Sequence, residues 1–277
     1  MFYERLGQLS LAGLSFVFWG SLGAIGLPSH AAELSEIQQR GYLTVGVKDN
    51  LRPLGFRDAE GNLEGLEIDL AHWLAEHLLG DAEAIVLQPL SNQERLSALL
   101  DDEVDLVIAR LSATVSRARL VDFSTPYYLD GTAFVTRNGA IQQLTDLQQQ
   151  TISVLDDSDT IAIVRSALPN AQLVGVSSYA QAKDFLETGQ ASAFAADVSV
   201  LIGWIQEYPE YHVLPTLLSA DALVVAMPRG LQYDDLRQQV NQAIAQWQTE
   251  GVMRQQVLHW GLPEAGIPEM RTELGAE

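Results

Sequence analysis

The chain has 277 residues, 47% of them hydrophobic, no cysteine, and a formal net charge of −20 from 16 Lys+Arg against 36 Asp+Glu. That length supports one large domain or two smaller lobes with real cores, and the acidity excludes nucleic acid and anionic lipid surfaces as expected partners. Without cysteine there is no disulfide, thiol catalysis or lipid-modified N-terminal cysteine. Five scattered histidines lack metal-ligand spacing, so no metal or other cofactor is expected.

Residues 1–31 read as a cleaved secretory signal peptide. Arg5 supplies the positive start, Leu9 to Leu27 is apolar with glycine breaks, and Ser29-His30-Ala31 offers a small-x-small cleavage site. The apolar stretch is near the lower limit for a membrane span; its glycines and small-residue exit favour cleavage and an exported, soluble mature protein. Leu34 to Arg40 is predicted as a short amphipathic helix ended by Gly41, and Tyr42 to Val47 as the first strand. Lys48 to Phe56 is a loop and Glu60-Gly61-Asn62 a hairpin turn. Gly65-Leu-Glu-Ile-Asp69 leads into a helix over Leu70 to Leu79, which Asp69 caps or braces.

Ile85 to Pro89 is the second strand and Asn92 to Leu100 the second helix. Val104 to Ala109, bounded by Asp101-Asp102-Glu103, has the length of a strand buried on both faces. The β-α-β-α-β order predicts a parallel sheet with right-handed crossovers, and ligands on such sheets bind outside the carboxyl ends of the strands. There the sequence places Ser112, Thr114 and Ser116, then Arg117 and Arg119. Thr114 suits a helix cap, which puts Arg117 in the first turn beside free backbone N–H groups. Hydroxyls, amides and a guanidinium gathered in this way suit a small anion; a surface ion pair is the alternative for Arg117. Lys48, ending the first strand, is expected to face the same crevice.

Thr132 to Thr136 reads as a strand connecting to a second lobe, and Thr151 to Leu155 as that lobe's first strand. Asp156 to Thr160 caps a helix running to about Leu168. Leu173 to Val176 is a strand, Ser178 to Thr188 a helix, and Ala191 to Ala196 a strand ending at Asp197. Ala222 to Met227 returns to the first lobe, followed by a helix over Tyr233 to Thr249 and a closing run from Gly251 to Gly261. The boundaries are therefore 1–31 signal, 32–133 lobe 1, 134–220 lobe 2, and 221–277 return to lobe 1, with a hinge near 133–137 and 218–222.

Three motifs carry a resemblance. Asp105 with the apolar strand, Thr114 to Arg117, and Asp122-Phe123-Ser124-Thr125-Pro126-Tyr127-Tyr128 follow one another as in family 3 bacterial solute-binding proteins, the amino-acid receptors of ABC importers. Gly189-x-x-x-x-Phe194-x-x-Asp197 is similar to that family's second signature. The likeness extends over nearly all of the chain after about residue 34. It implies an α/β fold of the periplasmic binding protein-like type II class, two lobes joined by a two-strand hinge. It also implies a monomer in the periplasm, with an amino acid as ligand, a membrane permease as partner and no catalysis.

By the resemblance, Arg117 holds the ligand's α-carboxylate, with a hydroxyl from Ser112, and Asp197 holds its α-ammonium. Aromatic rings that sandwich neutral or basic ligands in the family are replaced here by Leu51 and Asn92. Lys48, Arg95 and Tyr179 match positions in glutamate- and aspartate-binding members, so Lys48 and Arg95 are the expected readers of a side-chain carboxylate. A buried carboxylate needs such partners. Two positions depart from the family. Arg110 stands where Gly, Ser or Thr is usual, and either adds a cation to the site or turns away to pair with an acid. Asp157-Ser158-Asp159 replaces Gly-Ser/Thr-Thr, and Asp157 or Asp159 suits a zwitterionic or cationic ligand side chain. Glutamate or aspartate is the leading expectation; glutamine, a basic or another polar amino acid is the alternative. A dehydratase on the same fold ranks lower, because the general acid or base it needs has only Asp157, Asp159 and Tyr179 as candidates. A sensor module is a third class.

Overall fold

The computed structural model describes residues 32–156 and 158–269, so the expected signal peptide and Asp157 lie outside the described residues. The chain opens with helix α1 (Leu34–Arg40), ended by Gly41 in the left-handed conformation at φ 80°, which glycine adopts without a Cβ penalty. Strand β1 (Leu43–Val47) follows, then a small antiparallel sheet of β2 (Asn50–Leu51), β3 (Gly55–Arg57) and β4 (Leu63–Glu64). Helix α2 (Leu66–Leu79) begins one turn earlier than expected, at Gly65 with φ 129°. Asp69 therefore lies inside the first turn, where its Oδ2 accepts the Trp260 Nε1–H at 2.7 Å.

Strand β5 (Ile85–Pro89), helix α3 (Glu94–Leu100) and strand β6 (Leu106–Ile108) complete the first β-α-β-α-β run. Strands β5 and β6 pair in parallel with β1 on either side. The sheet anchors at Asp105, whose Oδ2 accepts the Thr44 amide at 2.8 Å and an Arg40 guanidinium N–H. Strand β7 (Asp122–Phe123) lies at the far edge.

Strand β8 (Tyr128–Asp130) crosses to the second lobe, whose sheet begins with β9 (Thr132–Thr136) and β10 (Thr151–Leu155). Helix α4 (Thr160–Ala167), β11 (Gln172–Val176), α5 (Tyr179–Glu187), β12 (Ala193–Asp197), α6 (Val198–Glu207) and β13 (His212–Val213) complete it in the order β11-β10-β12-β9-β13. Helix α6 was not anticipated from the sequence. Every residue from Val198 to Trp204 is buried, so the segment lacks the one-sided periodicity that marks a surface helix.

The chain returns through β14 (Asp221–Leu223), antiparallel to β8, and β15 (Ala226–Met227), which fits between β6 and β7. The lobes are thus joined by the β8–β14 ribbon. The crossing expected at 133–137 lies a few residues earlier, because Thr132 to Thr136 is absorbed into the second sheet beside β12. Helices α7 (Asp234–Thr249) and α8 (Val252–His259) cover lobe 1. Trp73 ties α2 to α7 by donating Nε1–H to the Ala243 carbonyl at 2.8 Å. Among the described residues no helix is long and apolar enough to cross a membrane.

Candidate functional site

The ends of β6, β8, β12, β14 and the start of α4 enclose a cavity of about 260 Å³ between the lobes. Of the predicted site residues, Arg110, Ser112, Asp159 and Asp197 line it, joined by Asp130, Thr132, Ser158, Thr160, Ile163, Asp221 and Leu223. Its wall therefore carries four carboxylates and one guanidinium. Asp130 and Asp221 are direct cross-strand partners on the hinge ribbon, a pairing of like charges that disfavours the ribbon unless a cation lies beside it.

Arg110 is that cation. It follows β6 in lobe 1 and reaches the other lobe, its Nη2 paired with the Asp197 carboxylate and its Nε 3.5 Å from Asp130 Oδ2. Its backbone is in the left-handed region at φ 47°, a conformation that costs a non-glycine residue about 1–3 kcal/mol. Two buried charged side chains hold it there. Glu67 Oε1 accepts the Arg110 amide at 2.6 Å, and Arg95 Nη1 donates to the Arg110 carbonyl at 2.7 Å. Glu67, which the sequence reading passed over, also accepts the Tyr127 hydroxyl at 2.5 Å, while its Oε2 has no hydrogen-bond partner. Burial pushes the Glu67 carboxyl above its ordinary pKa, opposed by the Tyr127 hydroxyl and then the Arg110 amide.

Asp197 occupies the N-cap position of α6 yet makes no capping hydrogen bond. Asp130 performs that task instead: Oδ1 accepts the Ser199 amide at 3.1 Å and Oδ2 the Ser199 hydroxyl at 2.6 Å. The Asp197 carboxylate is thereby left to the cleft. Asp159 stands likewise at the N-cap of α4 with no capping bond and lines the cavity. Capping, expected of at least one acid in Asp156 to Thr160, does not describe the Asp159 side chain, nor that of Asp197. Asp130 and Asp221 were missed in the sequence because only the ribbon pairing brings them to the site.

The other predicted cations stand behind this wall. Lys48 is buried and donates Nζ–H to the Leu90 carbonyl at 2.8 Å; burial, then the Arg95 charge, lowers its pKa. Arg95 is buried as well, with Nη1 on the carbonyls of Ala109 (2.8 Å) and Arg110 and Nε on that of Asn92 (3.2 Å). Burial lowers its pKa, as do the charges of Arg117 and Arg110. Arg117 sits in a single 3₁₀ turn, its amide capped by Thr114 Oγ1 at 3.3 Å, and its Nη1 donates to the Ser112 carbonyl at 2.8 Å. Tyr179 lines a second cavity of about 270 Å³ beside Leu51, Lys183, Trp204 and Tyr208. The cleft is thus polarised, with guanidinium and ammonium groups gathered in lobe 1 and carboxylates on lobe 2 and the ribbon.

Comparison with known proteins agrees with this architecture. A glutamine-binding protein of Geobacillus stearothermophilus is 32% identical over 191 residues, covering 68% of this chain and 73% of the relative. An ABC transporter glutamine-binding protein of Bacillus subtilis is 24% identical over 235 residues, 84% of this chain and 85% of the relative. The solved structure of an ancestral cationic amino acid solute-binding protein superposes with a TM-score of 0.70 at 26% identity, covering 82% of this chain and 98% of that one. The profile of the bacterial extracellular solute-binding proteins, family 3, matches residues 43–263, and the chain belongs to that family.

Proposed function

We propose that this chain is the extracytoplasmic amino-acid receptor of an ABC importer, working by binding and not by catalysis, and that its ligand carries a positive charge on its side chain. The names of the relatives and of the superposed structure support amino-acid binding. The cavity wall, four aspartates around one arginine, carries the choice of ligand. By the family resemblance the ligand's carboxylate belongs with Arg117, whose Nη1 is held on the Ser112 carbonyl beside the cavity, and its ammonium with Asp197. A second cation then meets Asp159 and Asp221, whereas the side-chain carboxylate of glutamate or aspartate meets like charge there. Lys48 and Arg95, to which the family resemblance gave that carboxylate, hold Nζ and Nη1 on main-chain carbonyls. This weighs for the cationic alternative over the acidic one. Because the two ends of the ligand engage different lobes, binding favours the closed arrangement and closure follows from differential affinity.

Calorimetric titration of the mature protein, stripped of ligand by unfolding and refolding, tests the reading. Arginine or lysine is expected to bind with a Kd near or below about 1 μM, roughly −8 kcal/mol, and glutamate and aspartate to give no heat. Submicromolar glutamate or aspartate with silent cationic amino acids overturns the charge assignment. Turnover of prephenate or arogenate at enzymatic rates overturns the binding role itself.

A further inference from the structure

The cation position between Asp130 and Asp197 already contains a cation of the protein's own. Arg110 reaches it from a main chain that lobe 1 fixes on both sides, Glu67 on its N–H and Arg95 on its C=O. The left-handed φ shows that this placement is imposed by the surroundings, since an arginine left to itself avoids it. The fit is incomplete, because the buried Nε makes no hydrogen bond although Asp130 Oδ2 is 3.5 Å away. Asp130 does not depend on Arg110 for its hydrogen bonds, having the Ser199 amide and hydroxyl and the Gly131 amide at 3.0 Å.

We propose that Arg110 is a tethered competitor, an internal cation that bridges the lobes through Asp197 when ligand is absent and that the ligand's ammonium must displace. The proposal rests on the reading of the cleft as an amino-acid site and deepens it into a mechanism of selectivity. A ligand with one positive charge exchanges one cation at Asp197 for another and gains little from the exchange. A ligand with two also meets Asp159 and Asp221, carboxylates that Arg110 does not pair with among the described ion pairs. Arg110 therefore raises the threshold for all amino acids and lets dicationic ones cross it. The same bridge brings the lobes together in the unliganded protein.

The test uses the wild type, Arg110→Ser and Arg110→Lys, each stripped of ligand and titrated with arginine, lysine, glutamine and glutamate. Arg110→Ser is expected to bind its amino acids at least tenfold more tightly than the wild type, by a similar factor for each, so that glutamine also rises above the threshold. Arg110→Lys keeps the cation and is expected to stay within a few fold of the wild type. A tenfold loss in Arg110→Ser means that the guanidinium holds the ligand, and an unchanged affinity means that it is a bystander; either result overturns the proposal. A readout without ligand is open because the chain has no cysteine. Fluorophores on Val86→Cys in lobe 1 and Gln172→Cys in lobe 2 are expected to lie farther apart in Arg110→Ser than in the wild type. Equal separations overturn the bridge whatever the ligand proves to be. If the wild type binds only a non-cationic amino acid, the ligand class falls, while the sign of the Arg110→Ser change for that amino acid still decides the role of Arg110.

Discussion

Glu67 shows how one side chain governs the site without reaching the cavity. It has no exposure to solvent, and burial raises its pKa above the ordinary glutamate value of 4.5. The folded protein therefore holds this proton more tightly than the unfolded chain does. Its contribution to stability is complete below the unfolded value and is lost as pH rises through the folded one. Glu67→Gln retains an oxygen to accept the Tyr127 hydroxyl and the Arg110 amide but removes the titration. Urea unfolding at a series of pH values is expected to show the wild type losing ground to Glu67→Gln as pH rises above the ordinary glutamate value of 4.5; parallel curves would refute the shifted carboxyl. Arg117→Ala removes the expected α-carboxylate partner and is expected to weaken every amino acid by about 2–5 kcal/mol in the same titrations. Unchanged binding would take Arg117 out of the site. At this scale the sequence exposed Arg110 and Asp159 as departures, since each breaks a recognisable pattern. It hid their consequences, because the partners of Arg110 lie 20 and 87 positions away at Asp130 and Asp197.

Among the elements, the hinge ribbon leaves little room for an added side chain. Gly131 joins β8 to β9, and a Cβ there would stand 2.1 Å from the Ser219 carbonyl oxygen on the returning crossing. Gly131→Ala therefore forces the two crossings apart and is expected to destabilise the protein by roughly 1–3 kcal/mol in thermal unfolding; an unshifted transition would mean that the ribbon yields freely. Most strands and helices were legible from period and punctuation, such as the alternation of apolar runs with helical stretches up to β6. The exceptions have physical causes. Helix α6 is apolar on nearly every side, and β9 carries the pattern of a crossing strand while pairing inside the second sheet. Helix α2 starts at Gly65, a boundary that depends on contact of its first amides with the carbonyls of Pro53 and Leu54.

For the whole molecule, a net charge of −20 makes electrostatics a matter of rate as well as affinity. A positively charged ligand is drawn toward such a protein, and salt screens that attraction over about 10 Å at 0.1 M. The association rate for arginine is expected to fall as ionic strength rises, while that for glutamine stays nearly level; stopped-flow fluorescence distinguishes the two. The placement of β15 between β6 and β7 has a different consequence, one concerning time. The second lobe is a single uninterrupted stretch from β9 to β13, so all its strands are present before Asp221 has been synthesised. The first lobe has a vacancy inside its sheet until Ala226 and Met227 emerge from the ribosome. Contacts so distant in sequence form late, and domains fold as units in the order in which they become complete. The lobe that begins the chain is accordingly the one that finishes last.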